Sequence, residues 1–276
     1  MNPLIINLAP TGMIPKKENT PFVPESPQEI IEQVHEAYEV GITIVHLHAR
    51  ENGTPTYKAS IYKQILDGLR KHCPDLVTGI SHSGRMFKSF EERSEAIELQ
   101  ADLGSLILSS LNFIQQESVN SPDMILSLID KMAQYGVKPE LEVFDSGMIN
   151  FAKYLIKKNV LTPPHYFNIL VGNMFNVQAE IDHIGLLIRD LPENSYWSLA
   201  GIGNTQLQVN TLAVAFDGGV RVGLEDNIYL DSKRQVKATN IQMVKRIHQI
   251  AEMFERPIMK ASEFGEMGFY NLQKRG

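Results

Sequence analysis

Two periodicities alternate along the chain. Short runs rich in β-branched residues are each followed by a longer stretch whose apolar positions recur at three- and four-residue spacing, the marks of a strand and of an amphipathic helix. "PLIINLA" (3–9) predicts a strand. "SPQEIIEQVHEAYEVG" predicts a helix, with Ser26 as N-cap, Pro27 in the first helical position and Glu29 three residues on to close a capping box. "ITIVHLHA" (42–49) leads to "KASIYKQILDGLRKH", and "LVTGIS" (76–81) leads to "FEERSEAIELQ". "LGSLIL" (103–108) leads to "SPDMILSLIDKMAQYG", where Ser-Pro-Asp repeats the cap. "KPELEVF" (138–144), "HYFNILVG" (165–172), "SYWSLAG" (195–201) and "VRVGLE" (220–225) each open a further unit of the same kind.

Strands alternating with helices imply βαβ units and a parallel sheet. Eight such units in 276 residues predict an α/β fold, a (β/α)8 TIM barrel forming a single domain over residues 1–276. An open, doubly wound sheet is the other arrangement of these units. No GxGxxG follows the first strand and no GxxxxGK[ST] occurs, which argues against dinucleotide and P-loop chemistry. The extension after about residue 257 carries no strand pattern and is expected to form an extra helix or an oligomer contact.

Such barrels carry their chemistry where the strands end. Alternate residues of a strand share a face, so His46 and His48 point the same way at the end of the second strand. The last strand, "VRVGLEDN", brings Arg221 and then Glu225, Asp226 and Asn227 to the corresponding end, and both strands neighbour the first in a closed barrel. Two histidines and a carboxylate are a catalytic zinc donor set, and they also suit iron, manganese or cobalt. Core histidines bonded to backbone would give the same pattern. Glu140 and Glu142 share one face of the fifth strand, with Leu141 and Val143 on the other, and would be active-site groups or ion-pair partners of Arg221 or Lys138. Ser81 and Ser105 lie on the third and fourth strands, where a serine also serves as a cap. His82 and Arg85 could present cations at the mouth, Arg50 could pair with a loop carboxylate, and "AGIGN" (200–204) could offer backbone N–H groups to a phosphate.

Composition removes other classes. A net charge of −6, with 43% hydrophobic and 21% charged residues, is that of an ordinary soluble globular protein without the basic footprint of a nucleic-acid binder. No run approaches the ~20 apolar residues of a membrane span, and "MNPLIINLAPTG" lacks the pattern of a signal peptide, so a cytoplasmic protein without a membrane partner is expected. Cys73 excludes an internal disulfide and reads as a bystander at the end of a surface helix.

Taken together and in order, "NLAPTG", "IVHLHAR", "GISHSGR", "SSLNF", "PELEVFDSGM" and "VRVGLEDN" resemble the β-keto acid cleavage enzyme family over nearly the whole chain. The resemblance implies a zinc-dependent, usually homotetrameric barrel. Its members condense a β-keto acid with acetyl-CoA and return acetoacetate and a new acyl-CoA. It further implies His46, His48 and Glu225 as zinc ligands and Asp226 as the base, with Arg221 beside it to keep it ionised. Glu142, Ser81 and Ser105 become further catalytic positions, and Thr11, Met13, Ile14 and Asn112 substrate-binding ones. Family members that act on an amino-substituted substrate carry a glutamate just after "TG", where this chain has Met13 and Ile14. An apolar pair cannot answer an ammonium, so a neutral or apolar acyl tail is expected, with an anionic one left open by Lys16 and Lys17. A divalent-metal aldolase or decarboxylase, or a non-catalytic barrel that binds metal or acyl-CoA, would use the same scaffold.

Overall fold

A computed structural model describes residues 1–275. Eight parallel strands close into a barrel. They are β1 (Ile6–Leu8), β2 (Ile44–Leu47), β3 (Val77–Ile80), β4 (Leu103–Ile107), β5 (Lys138–Val143), β6 (His165–Val171), β7 (Ser195–Gly201) and β8 (Gly219–Val222). Closure is made by β1, which pairs Asn7 with Arg221 of β8 on one side and with Ile44 of β2 on the other. The strands of the predicted (β/α)8 barrel are therefore present, in the predicted order.

Eight helices follow the strands: α1 (Pro27–Val40), α2 (Ala59–His72), α3 (Phe90–Ser94), α4 (Pro122–Gln134), α5 (Ser146–Lys157), α6 (Ile181–Arg189), α7 (Gln206–Ala215) and α8 (Asn240–Met253). Local signals set their starts. Ser26 and Glu29 form the expected capping box of α1, and Ser121 caps α4. The apolar stripes of these helices pack on the outward residues of the strands, such as Leu106, Leu141 and Val220. Cys73 ends α2 but is buried, and burial pushes its thiol up to about 12, so it is an inert core residue rather than a surface one.

Three features differ from the expected pattern. Strand β8 stops at Val222 rather than continuing to Glu225. Gly223 there has a φ of +151°, and a Cβ on it would lie 2.1 Å from the carbonyl oxygen of Ala9. The chain leaves the sheet at this glycine and carries Glu225 and Asp226 over the barrel mouth. Secondly, the loops after β2 and β4 fold into small antiparallel ribbons, pairing Arg50–Glu51 with Thr54–Pro55 and Leu111–Asn112 with Glu117–Ser118.

Thirdly, the extension after residue 257 does form an extra short helix, Ala261–Phe264, as expected, but turns it back under the barrel. Met259, Phe264 and Phe269 pack among Ile5, Ile44, Val77, Leu103 and Tyr166, which point inward from the strand starts. Phe264 and Phe269 stack at 4.1 Å and meet Tyr166 and Tyr196 edge to face. The extension thus plugs the N-terminal end of the barrel. Among the described residues no helix is long and apolar enough to cross a membrane.

Candidate active site

The barrel interior changes from apolar to charged going up from this plug. Glu140 of β5 is wholly buried and accepts hydrogen bonds from Asn7 and Asn168. Its other oxygen lies 2.8 Å from His46 Nδ1. This fixes the His46 ring with Nε2 pointing up to the mouth, where it lies 3.3 Å from His48 Nε2. Glu225 reaches in from the loop after β8, with Oε1 3.2 Å from His48 Nε2 and Oε2 3.9 Å from His46 Nε2. Gly12 makes room for it: a Cβ there would lie 2.3 Å from Glu225 Cγ.

Arg221 is buried beneath this group and is shared among three carboxylates. Nη1 binds Glu142 at 2.9 Å, Nη2 binds Glu225 at 2.9 Å, and Nε donates to Asp226 at 3.1 Å. Burial would weaken its charge, but Asp226, Glu225 and Glu142 outweigh that and hold it firmly protonated. Burial would raise Glu225, yet Arg221, His48 and His46 hold it well below the ordinary carboxylate range. Asp226 and Glu142 go the other way, since burial raises both against the pull of Arg221. Asp226 is therefore positioned by Arg221 without being pinned in its ionised form by it, contrary to expectation. Burial disfavours a charged His46, but Glu140 and Glu225 overcome it and hold the ring up to about 9, while burial keeps His48 low.

This cluster has the features of a cation site. One donor atom each from His46, His48 and Glu225 lies within 4.8 Å of the other two. Glu225 Oε2 is buried without a hydrogen-bond partner. The Nε2 atoms of two imidazoles face each other across a gap in which only one can carry a proton. Three carboxylates, Glu142, Glu225 and Asp226, share the one guanidinium of Arg221, a crowding of negative charge that a dication would relieve. The Glu140–His46 contact is the kind of outer hydrogen bond that orients a metal-binding histidine.

Above the cluster opens a cavity of about 450 Å³. Met13, Ile14, Ser81, Glu142 and Asp226 line it. The other expected positions lie behind the wall. Ser105 Oγ accepts the backbone N–H of His82, and Thr11 Oγ1 accepts from Arg50 Nε. Asn112 is exposed and offers its carbonyl to Asn173, while its neighbour Phe113 faces the cavity. Arg50 binds the carbonyls of Gly12, Pro15 and Gly53, so it clamps the first loop and only skirts Glu25 at 3.9 Å. His82 is held neutral, because burial pushes it down to about 3, and it supplies no cation. In the 200–204 loop the Ile202 and Gly203 N–H groups are spent on the carbonyls of Val171 and Asp226, so neither is offered to a phosphate. Lys16 is exposed and does not line the cavity, and Lys17 pairs with Glu29 on the outside. The sequence reading missed Phe113 and Arg234 in the wall and Glu140 as the partner of His46. The inward parity of Glu140 and Glu142 held the only signal for the last.

Comparison with known proteins adds to this geometry. Residues 3–268 match the family described as beta-keto acid cleavage enzyme. The chain is 34% identical to a 3-keto-5-aminohexanoate cleavage enzyme of Acetoanaerobium sticklandii, over 97% of this chain and 98% of that one. It is 32% identical to a 3-oxoadipate:acetyl-CoA acetyltransferase of Cupriavidus necator, over 95% of this chain and 93% of that one. Among solved structures it resembles apo ObcA in fold, with a TM-score of 0.81 at 19% identity, covering 91% of this chain and 66% of that longer one.

Proposed function

The chain belongs to the beta-keto acid cleavage enzyme family, and from that premise we propose that it condenses a β-keto acid with acetyl-CoA and returns acetoacetate and a new acyl-CoA. The observation that carries this reading is the meeting, under one cavity, of three cation-ligand side chains and a carboxylate hung on a buried arginine. His46, His48 and Glu225 would hold a divalent cation, taken to be zinc because this donor set is a catalytic zinc set. Bound there, the cation supplies Lewis acidity toward the carboxylate and ketone oxygens of a β-keto acid.

The remaining chemistry belongs to the chain. Asp226 removes the proton from C2, and its upward shift brings it toward the range in which a carboxylate works as a base near neutral pH. Arg221 aims Asp226 through Nε, and Glu142 fixes Arg221 from the far side. The electron pair left on C2 attacks the thioester carbonyl of acetyl-CoA and expels the CoA thiolate. The thiolate adds to the original ketone carbon, the bond from that carbon to C2 breaks, and Asp226 returns its proton to C2. Acetoacetate and the new acyl-CoA result. Ser81 offers the cavity a hydroxyl, whereas Ser105 and Thr11 act as positioning residues behind the wall. Met13 and Ile14 in the cavity wall support the view that an ammonium-bearing tail is not preferred.

Acetoacetate release, assayed with acetyl-CoA and a panel of 3-oxo acids, tests the proposal. Product strictly dependent on acetyl-CoA is expected; cleavage without acetyl-CoA would instead indicate an aldolase or decarboxylase. Asp226→Asn should lower turnover by about 100-fold or more while leaving the bound metal, measured by elemental analysis, unchanged.

A further inference from the structure

Most of the buried or half-buried arginines have found partners. Arg221 has three carboxylates and Arg50 three loop carbonyls. Arg93 binds the carbonyls of His82 and Val119 and the side chain of Asn120. Arg256 binds the carbonyls of Asn2 and Gly218. Arg85 differs. Its guanidinium lies over the Phe113 ring, 3.2 Å from the centroid, in the wall of the active-site cavity. Its side chain makes no hydrogen bond or ion pair with any described residue, the backbone N–H alone donating to Ser83 Oγ. Burial weakens its charge, and the carboxylates of Glu225, Glu142 and Asp226 only partly compensate from a distance. The guanidinium is half-buried in the cavity wall with its fork unfilled, so an anion entering the cavity can meet it in two-point fashion.

The loop that carries it is tied down. Arg85 stands on the loop after β3 and Phe113 on the loop after β4, and Arg93 ties the two loops together by bonding His82 on the first and Val119 and Asn120 on the second. The same cavity is also walled by Met13, Ile107, Phe144 and Leu170, which suit methylene groups.

Resting on the function proposed above, we infer that Arg85 is a specificity residue for an anionic group at the far end of the acyl tail, so that the preferred substrates are 3-oxo dicarboxylic acids. The planar fork matches a carboxylate in two-point fashion, and the stacked ring holds it ready. This departs from the neutral tail expected from Met13 and Ile14 alone. The cation comes from the loop after β3, not from Lys16 or Lys17.

Three six-carbon acids differing only in the tail make the test: 3-oxoadipate, 3-oxohexanoate and 3-oxo-5-aminohexanoate. In the native protein, kcat/KM for 3-oxoadipate should exceed that for 3-oxohexanoate by about tenfold or more. Arg85→Gln should lower the 3-oxoadipate value by about 10- to 100-fold, mainly through KM, and the 3-oxohexanoate value by less than about threefold. Arg85→Lys should retain part of the preference. Calorimetric binding of 3-oxoadipate without acetyl-CoA should weaken in parallel. Equal losses on both acids, or a raised KM for acetyl-CoA common to both, would overturn the inference by assigning Arg85 to the shared carboxylate or to CoA. Should Arg85→Gln fail to fold, the native ranking decides by itself. Turnover of all three acids without preference for the dicarboxylate sinks this inference alone. Acetoacetate from none of them sinks the proposed reaction with it.

Discussion

His82 lies against the outer face of Gly104 beside Met132 of α4, with Nδ1 on the Arg93 carbonyl and Nε2 without a partner. Burial, helped by the Arg93 charge, lowers its folded pKa to about 3, whereas the unfolded chain takes up a proton near the ordinary value of about 6.5. The unfolded state thus binds more protons between those values, so His82 makes stability fall as pH falls through that window. Between about pH 7.5 and about pH 5 the contribution is about 2 kcal/mol. Urea denaturation at both values should show the stability gap between native protein and His82→Asn narrowing by that amount; a constant gap would refute it. At this scale the sequence exposes a residue type and its facing but not its partners. His46, His48, Glu225 and Asp226 were legible because strand parity and strand ends are local facts. The neutral His82 and the carbonyl-bound Arg50 were not, because burial and partners come from segments distant in the chain, whereas Arg85 was legible as a cation at the mouth.

At the scale of elements, caps carry much of the local instruction. Ser26 Oγ accepts the Glu29 N–H, and the Glu29 carboxylate returns to the Ser26 and Glu25 N–H groups. Ser26→Ala should cost about 1 kcal/mol, read as a lower urea midpoint with an unchanged slope. A loss under a few tenths would mean that Pro27 and the Lys17–Glu29 pair suffice to start α1. Eight strands and their helices could be read because each has its own periodicity. The ribbons after β2 and β4 could not, since two paired residues carry no period. The early end of β8 was hidden for a different reason. Gly223 reads as one residue in a strand pattern, and its need for a bare Cα comes from Ala9, more than two hundred positions away.

For the molecule as a whole, stability and chemistry occupy opposite ends of the barrel. The aromatic plug of Phe264 and Phe269 belongs to the stability end. Phe269→Ala should cost about 3–5 kcal/mol by emptying a fully buried site. Well below its lowered melting temperature the variant should keep native kcat, and a kcat loss without a stability loss would show that the plug also shapes the site above. The fold class was legible from alternation alone, whereas the plug was not, because an aromatic-rich segment without a period gives no hint of which end of a barrel it will fill.

The placement of the cation ligands has a consequence for how the protein is made. His46 and His48 leave the ribosome early, while Glu225 and the strand that closes on β1 emerge only after most of the chain has been translated. A nascent chain therefore carries two of the three proposed ligands, and a cation would be captured tightly only once closure is complete. Were the cluster to hold a cation as proposed, its uptake would be a receipt for finished synthesis, since truncated or stalled chains would carry the two histidines without the third ligand.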